Sequence, residues 1–135
     1  MIMTDQFGQV RSSSNVYEVM TILLDQRQET ERHKEYFYAF GLNSMNEILY
    51  VDLVSIGTVN YVTPFTREIL RLALIKNAVG IIVAHNHPSG SIQPSTEDRR
   101  YTLELKQACG MMNIKLLDHI IAGNGFYSFS DEGVL

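Results

Sequence analysis

Apolar residues recur along this chain with two periods, and the switches between them mark its elements. Val16, Val19, Met20, Leu23 and Leu24 fall at i, i+3, i+4, i+7 and i+8, which predicts an amphipathic helix from Asn15 to about Asp25. Asn15 with Glu18 three residues on resembles a capping box. Residues 1–13 before it are polar and read as a flexible lead-in; Gln26 to Lys34 reads as a polar connector. Glu35 to Leu42 is rich in aromatic side chains and predicts a strand. Asn43–Asn46 is turn chemistry, and Glu47 to Ser55 predicts a second strand, antiparallel to the first. Val59 to Val62 suggests a short third strand. Thr63-Pro64 then opens a helix with Phe65, Ile69, Leu72 and Ala73 on one face, ending near Asn77. The nearly all-apolar run Val79–Ala84 fits a strand in the middle of a sheet. Thr96 to about Cys109 is a second long helix with Tyr101, Leu105, Ala108 and Cys109 inward and Gly110 placed for a left-handed cap. Ile114–Ala122 and Phe126–Phe129 are strands joined by the turn Gly123–Gly125. This order predicts one α/β domain over residues 14–135, a mixed sheet with helices packed on it.

Composition narrows the class. A chain of 135 residues with 45% hydrophobic content can bury one sizeable core. The net charge of −4 argues against a nucleic-acid binder, which must neutralise phosphates with basic residues. A single cysteine, Cys109, excludes an intrachain disulfide and a cysteine-rich zinc site. The first residues lack the layout of a signal peptide, and no apolar run approaches membrane-spanning length. The expectation is a soluble cytoplasmic protein with no membrane partner.

The chemistry concentrates in Val83–Asp98, at the junction of a strand, a Gly/Pro-rich loop and a helix. In an extended segment His85 and His87 point the same way, because side chains alternate with period two. The chain turns through Pro88 and Gly90, so Asp98 can return to the same point from the first turn of the next helix. Two imidazoles and a carboxylate suit Zn²⁺ and leave a fourth tetrahedral position open. The plainer alternative is also present: Ser95 is a good N-cap, and an acid three residues later suits the helix dipole. His33 reads as solvated. His119, in a strand beside Asp118, reads as a structural histidine or as a support for the metal ligands; it is kept off the ligand set.

His85-x-His87-Pro88 with Pro94-Ser95 and Asp98 resembles the JAMM (MPN+) metalloprotease motif. More closely, His-Asn-His-Pro-Ser-Gly followed by Pro-Ser-x-x-Asp resembles the RadC family of bacterial proteins. Gly57-Thr58, Arg67-Glu68 and Leu117-Asp118-His119-Ile120-Ile121 are further RadC-like features, and the likeness runs from about Ser14 to Leu135. The resemblance implies a cytidine-deaminase-like, three-layer JAMM/MPN architecture. It implies a zinc site formed by His85, His87 and Asp98. It also points to Glu35 as catalytic base, through the acid-x-Phe pattern Glu35-Tyr36-Phe37; from the residues alone, Glu35 is a solvated charge at a strand end. Ser95 is the natural oxyanion donor, and its hydroxyl can cap the helix as well. RadC proteins usually carry an N-terminal helix-hairpin-helix segment, for which this chain has no room.

Three functions compete. A zinc hydrolase acting on peptide or isopeptide bonds uses the complete set Glu35, His85, His87, Ser95 and Asp98. A DNA-repair-associated protein fits the traditional RadC name, but one acid in the ligand motif and an acidic balance argue against phosphodiester chemistry and strong nucleic-acid binding. A non-catalytic scaffold would use the metal for stability alone.

Overall fold

The structure is a computed structural model that describes residues 2–3, 7–57 and 66–135. The expected strand at 59–62 and the Thr63-Pro64 helix start lie outside these residues. The elements are β1 (Ile2–Met3), α1 (Ser13–Asp25), β2 (Glu35–Leu42), β3 (Ile48–Gly57), α2 (Thr66–Ile75), β4 (Gly80–Asn86), α3 (Thr96–Met111), β5 (Lys115–Gly123) and β6 (Gly125–Ser128), with a 3₁₀ turn at Glu29–Glu31. The strands form one mixed sheet in the order β1-β3-β2-β4-β5-β6. Only β4 and β5 pair in parallel among these, joined through α3; the other neighbours are antiparallel. The mixed α/β architecture is the one expected.

The sheet has a core on each face, which is why β2 and β4 are buried almost throughout. Tyr36, Tyr38, Phe40 and Leu42 of β2, with Ile82 and Ala84 of β4, pack beneath Val16, Met20 and Leu23 of α1. Phe37 and Ala39, with Ile81 and Val83, face the other way, toward Ile69, Leu72 and Ala73 of α2 and Leu105 and Cys109 of α3. Period-two alternation therefore sorts each strand between two apolar layers. At Gly41 the alternation leaves a gap filled by a cross-strand aromatic ring: an added Cβ would sit 2.0 Å from Cε1 of Tyr50.

Several details differ from expectation. The lead-in is not wholly without structure, since Ile2–Met3 pairs with β3 and Gln9 bridges Glu47. Helix α1 starts two residues early. Asn15 is its third residue rather than its cap, and its side chain accepts from the backbone N–H groups of Arg11 and Ser12 at 2.7 and 3.2 Å. Helix α3 runs through Gly110 to Met111, and the left-handed residue is Asn113, at φ 55°. Gly110 is exposed there, so its missing side chain leaves no gap, and asparagine tolerates positive φ better than most residues. No helix among the described residues is long and apolar enough to cross a membrane.

Candidate metal centre

The polar cluster lies past the C-terminal ends of the parallel pair β4–β5, where open α/β sheets present their ligands. His85 closes β4 on the face that packs against α3. His87 follows Asn86 and keeps the extended course, its N–H donating to the Ala122 carbonyl of β5 at 2.9 Å. The two imidazoles therefore point to one side, as the i, i+2 spacing requires. The loop then folds back at Gly90, at φ 90°, whose carbonyl accepts from the Asn124 N–H at 2.7 Å. Its backbone lies so close to β5 that a Cβ on Gly123 would come within 2.5 Å of the Gly90 carbonyl oxygen.

Ser95 caps α3, and the cap aims the acid. The Asp98 N–H donates to Ser95 Oγ at 3.0 Å, and the Ser95 N–H donates to Asp98 Oδ2 at 2.9 Å. This reciprocal box holds the carboxylate at the helix start. Asp98 Oδ1 lies 3.3 Å from His85 Nε2, and Oδ2 lies 3.3 Å from His87 Nε2. The two Nε2 atoms are 3.1 Å apart. Capping and ligation are thus compatible duties of one side chain. Among the described residues, His85, His87 and Asp98 form a group whose ligand atoms all lie within 4.8 Å of one another.

The edge between the two Nε2 atoms is near that of a tetrahedral ion, and each ring meets its own oxygen of Asp98. Metal–nitrogen bonds of about 2.0–2.1 Å imply ligand–ligand edges of about 3.3–3.4 Å. His87 Nδ1 lies 3.0 Å from the Ser91 carbonyl, which can only accept. The proton of neutral His87 is therefore on Nδ1, and its Nε2 lone pair faces the cluster.

The sequence matches the RadC-like JAB domain family over residues 10–134. The chain belongs to that family. It is 37% identical over 132 residues to a UPF0758 protein of Chlorobium chlorochromatii, covering 97% of this chain and 57% of that one. It is 38% identical over 125 residues to a UPF0758 protein of Actinobacillus pleuropneumoniae, covering 92% of this chain and 56% of that one. The chain spans about half the length of the curated relatives it matches.

The remaining polar residues of this RadC-like domain surround the three candidate ligands. Phe37 pairs with His85 across β2–β4, which places Glu35, two residues earlier, on the same sheet face. Burial pushes the Glu35 carboxyl up, partly offset by His85 and His87. Burial also works against the charge of Asp98, but the adjoining His85 and His87 imidazoles hold that carboxyl well below the ordinary range. The Asp98 carboxylate in turn raises His87. Ser95 is exposed and Glu97, beside it in the first turn, is exposed too.

Two neighbours, Asn86 and Thr102, were not legible as parts of the cluster, and His119 was legible only as one of two readings. Asn86, between the histidines but on the opposite strand face, accepts from the Tyr36 N–H at 2.7 Å and donates to the Lys34 carbonyl at 3.0 Å. It clamps the backbone on both sides of Glu35. His119 is fully buried beside His85, with 2.9 Å between His85 Nδ1 and His119 Nε2. Burial holds it well below the usual histidine range, so it is neutral. Thr102 Oγ1 is 2.6 Å from His119 Nδ1 and 2.6 Å from the Asp98 carbonyl oxygen. Its i+4 spacing from Asp98 was the one available signal. Asp118 instead accepts from Ser128 and from the Ser130 and His119 N–H groups, fixing the chain after β6.

Proposed function

We propose that this domain is a zinc-dependent hydrolase of the JAMM type, cleaving peptide or isopeptide bonds in a peptide or protein substrate. The observation that carries the reading is the convergence of His85, His87 and Asp98 within 4.8 Å of one another, with Glu35 on the same sheet face. His85, His87 and Asp98 hold the ion through two imidazole nitrogens and a carboxylate oxygen, a donor set that suits zinc. When bound, zinc lowers the pKa of a water to about 7 and polarises the scissile carbonyl.

The chain's own residues supply the rest. Glu35 takes a proton from the attacking water and delivers it to the leaving nitrogen; its half-buried carboxyl, made more basic by burial, suits that exchange. The Ser95 hydroxyl accepts from Asp98 N–H and keeps its own proton, which it donates to the oxyanion forming on the carbonyl. A role in DNA processing has less support here, since the ligand set has one carboxylate and the chain is acidic.

Elemental analysis combined with a peptide-library cleavage assay, with and without chelator, tests the reading. The expected result is about one zinc per chain and cleavage that chelator removes and zinc restores. Protein without bound metal, or cleavage indifferent to chelator, overturns it.

A further inference from the structure

We infer that His119 and Thr102 are positioning residues that hold a proton on His85 Nδ1, so that Nε2 is the nitrogen left for the metal position. The placement of that proton stands on the hydrogen-bond chain and on the full burial of His119; its consequence for metal affinity rests on the function proposed above.

The direction of the chain follows from one group. The Asp98 backbone carbonyl can only accept, so at 2.6 Å the Thr102 hydroxyl spends its single proton there. Thr102 Oγ1 must then accept from His119, which places the His119 proton on Nδ1, 2.6 Å away. A neutral imidazole has one N–H, so His119 Nε2 is an acceptor. His85 Nδ1, 2.9 Å from it, must donate. The proton of His85 is thereby fixed on Nδ1 by a carbonyl three groups away. The reverse order would put a proton on His85 Nε2, pointing at His87 and Asp98, where a cation would have to displace it.

The rings have little room to reorient. His85 stacks on Phe37 with centroids 5.6 Å apart and planes 10° apart. His119 stacks on Phe129 at 4.8 Å and 8°. Thr102 and His119 are both buried, so water has poor access to replace either partner. The chain also ends on the main-chain carbonyl of Asp98, the residue that supplies the third ligand. The relay therefore ties the tautomer of one ligand to the backbone position of another, and orienting bonds of this kind are typically worth 10–100-fold in metal affinity.

The experiment reads the ¹⁵N shifts of the histidine ring nitrogens in the metal-free protein, with zinc titrations alongside. In wild type, His85 and His119 should both show a protonated Nδ1, and His119 an unprotonated Nε2. Thr102→Val keeps the shape but removes the acceptor for His119 Nδ1–H. His119 should then move its proton to Nε2 and His85 to its own Nε2, with zinc affinity lower by about 10–100-fold. Thr102→Ser should restore both wild-type properties. His119→Gln should also keep the His85 tautomer, because its amide oxygen can accept from His85 while its amino group donates to Thr102. His119→Leu should lose it. A purely structural role for the pair predicts lower thermal stability in Thr102→Val with an unchanged His85 signal. That result, or a wild-type His85 without a proton on Nδ1, overturns the inference. Wild-type protein that shows the stated tautomers but takes up no zinc overturns the metal-centre reading and leaves the lock standing.

Discussion

The two faces of β4 do opposite work with the same backbone. On the α1 side, Ile82 and Ala84 join Tyr38, Phe40, Val16 and Met20 in an apolar layer. On the α3 side, Ile81 and Val83 begin an equally apolar layer, but the next inward residue is His85, followed by His87 outside the strand. The polar groups buried around His85 have partners: His119 binds His85 and Thr102, and Thr102 binds the Asp98 carbonyl. An unmatched buried polar group would cost roughly 1–3 kcal/mol, and this row of matched groups avoids that cost. One face is held by shape and area, and tolerates substitution in proportion to volume. The other is held by directional bonds, and should respond to the loss of single protons or lone pairs.

The sharpest break in this comparison is His87→Ala. It removes a donor from the cluster and leaves the apolar layer beneath α1 intact. Zinc content measured by elemental analysis should fall from about one per chain to near zero, while the far-ultraviolet spectrum stays that of the folded protein. Retained zinc would show that the three donors do not act together.

Next in size is Glu35→Gln, which keeps volume and removes the basic carboxylate. Hydrolysis should fall about 10²–10⁴-fold, the usual worth of a positioned acid–base group. Zinc content and melting temperature should stay near wild type, and the exposed Glu97→Gln should behave as wild type throughout. Activity undiminished in Glu35→Gln, or lost in Glu97→Gln, would move the base to another residue.

How far the sequence reveals the two faces depends on how local each signal is. β2 is legible with its observed bounds, Glu35–Leu42, because both faces are covered and aromatics run through it. His85, His87 and Asp98 are legible because one strand, one turn and one helix start bring them together within fourteen residues. The face that His119 takes is not, because a bulge intervenes. Ile81 pairs with Leu116 but Ile82 pairs with Asp118, so Leu117 is an extra residue in the strand. Strict alternation from Leu116, which packs toward α3, would put His119 on the opposite face. The bulge reverses that parity and delivers it to His85. Asn86 was hidden for a related reason: its partners, Lys34 and Tyr36, lie about fifty residues away on another strand.

The α1 face should give the converse result to His87→Ala. Met20 is fully buried there, and Met20→Ala deletes apolar volume without touching a polar bond. A loss of about 2–5 kcal/mol in unfolding free energy is expected, measured by denaturant titration, since buried large-to-small changes usually cost that much. Zinc bound per folded chain should not change. A selective loss of zinc at unchanged stability would mean that the two faces are not separable.

Asn86 is where the two faces meet, and its replacement should have the smallest effect on stability. It belongs to the α1 side of β4 by alternation, yet it holds the two peptide groups that flank Glu35. Beyond the Phe37–His85 pair the β2–β4 ladder stops, and the Asn86 side chain takes over the tie between the strands. Asn86→Ala leaves the Tyr36 N–H and the Lys34 carbonyl without that partner. Water can reach part of this strand end, so the cost should fall in the lower part of the roughly 1–3 kcal/mol range for an unmatched group. The three candidate ligands are untouched, and zinc content should hold. The register of Glu35 is loosened, however, so kcat should fall while KM changes little, the signature of an interaction made mainly in the transition state. Asn86→Asp sharpens the point. It can still accept from Tyr36 N–H but sets a carboxylate oxygen against the Lys34 carbonyl, so it should be at least as impaired as Asn86→Ala. Wild-type kcat in both variants would show that the clamp supports the strand and does not place the glutamate.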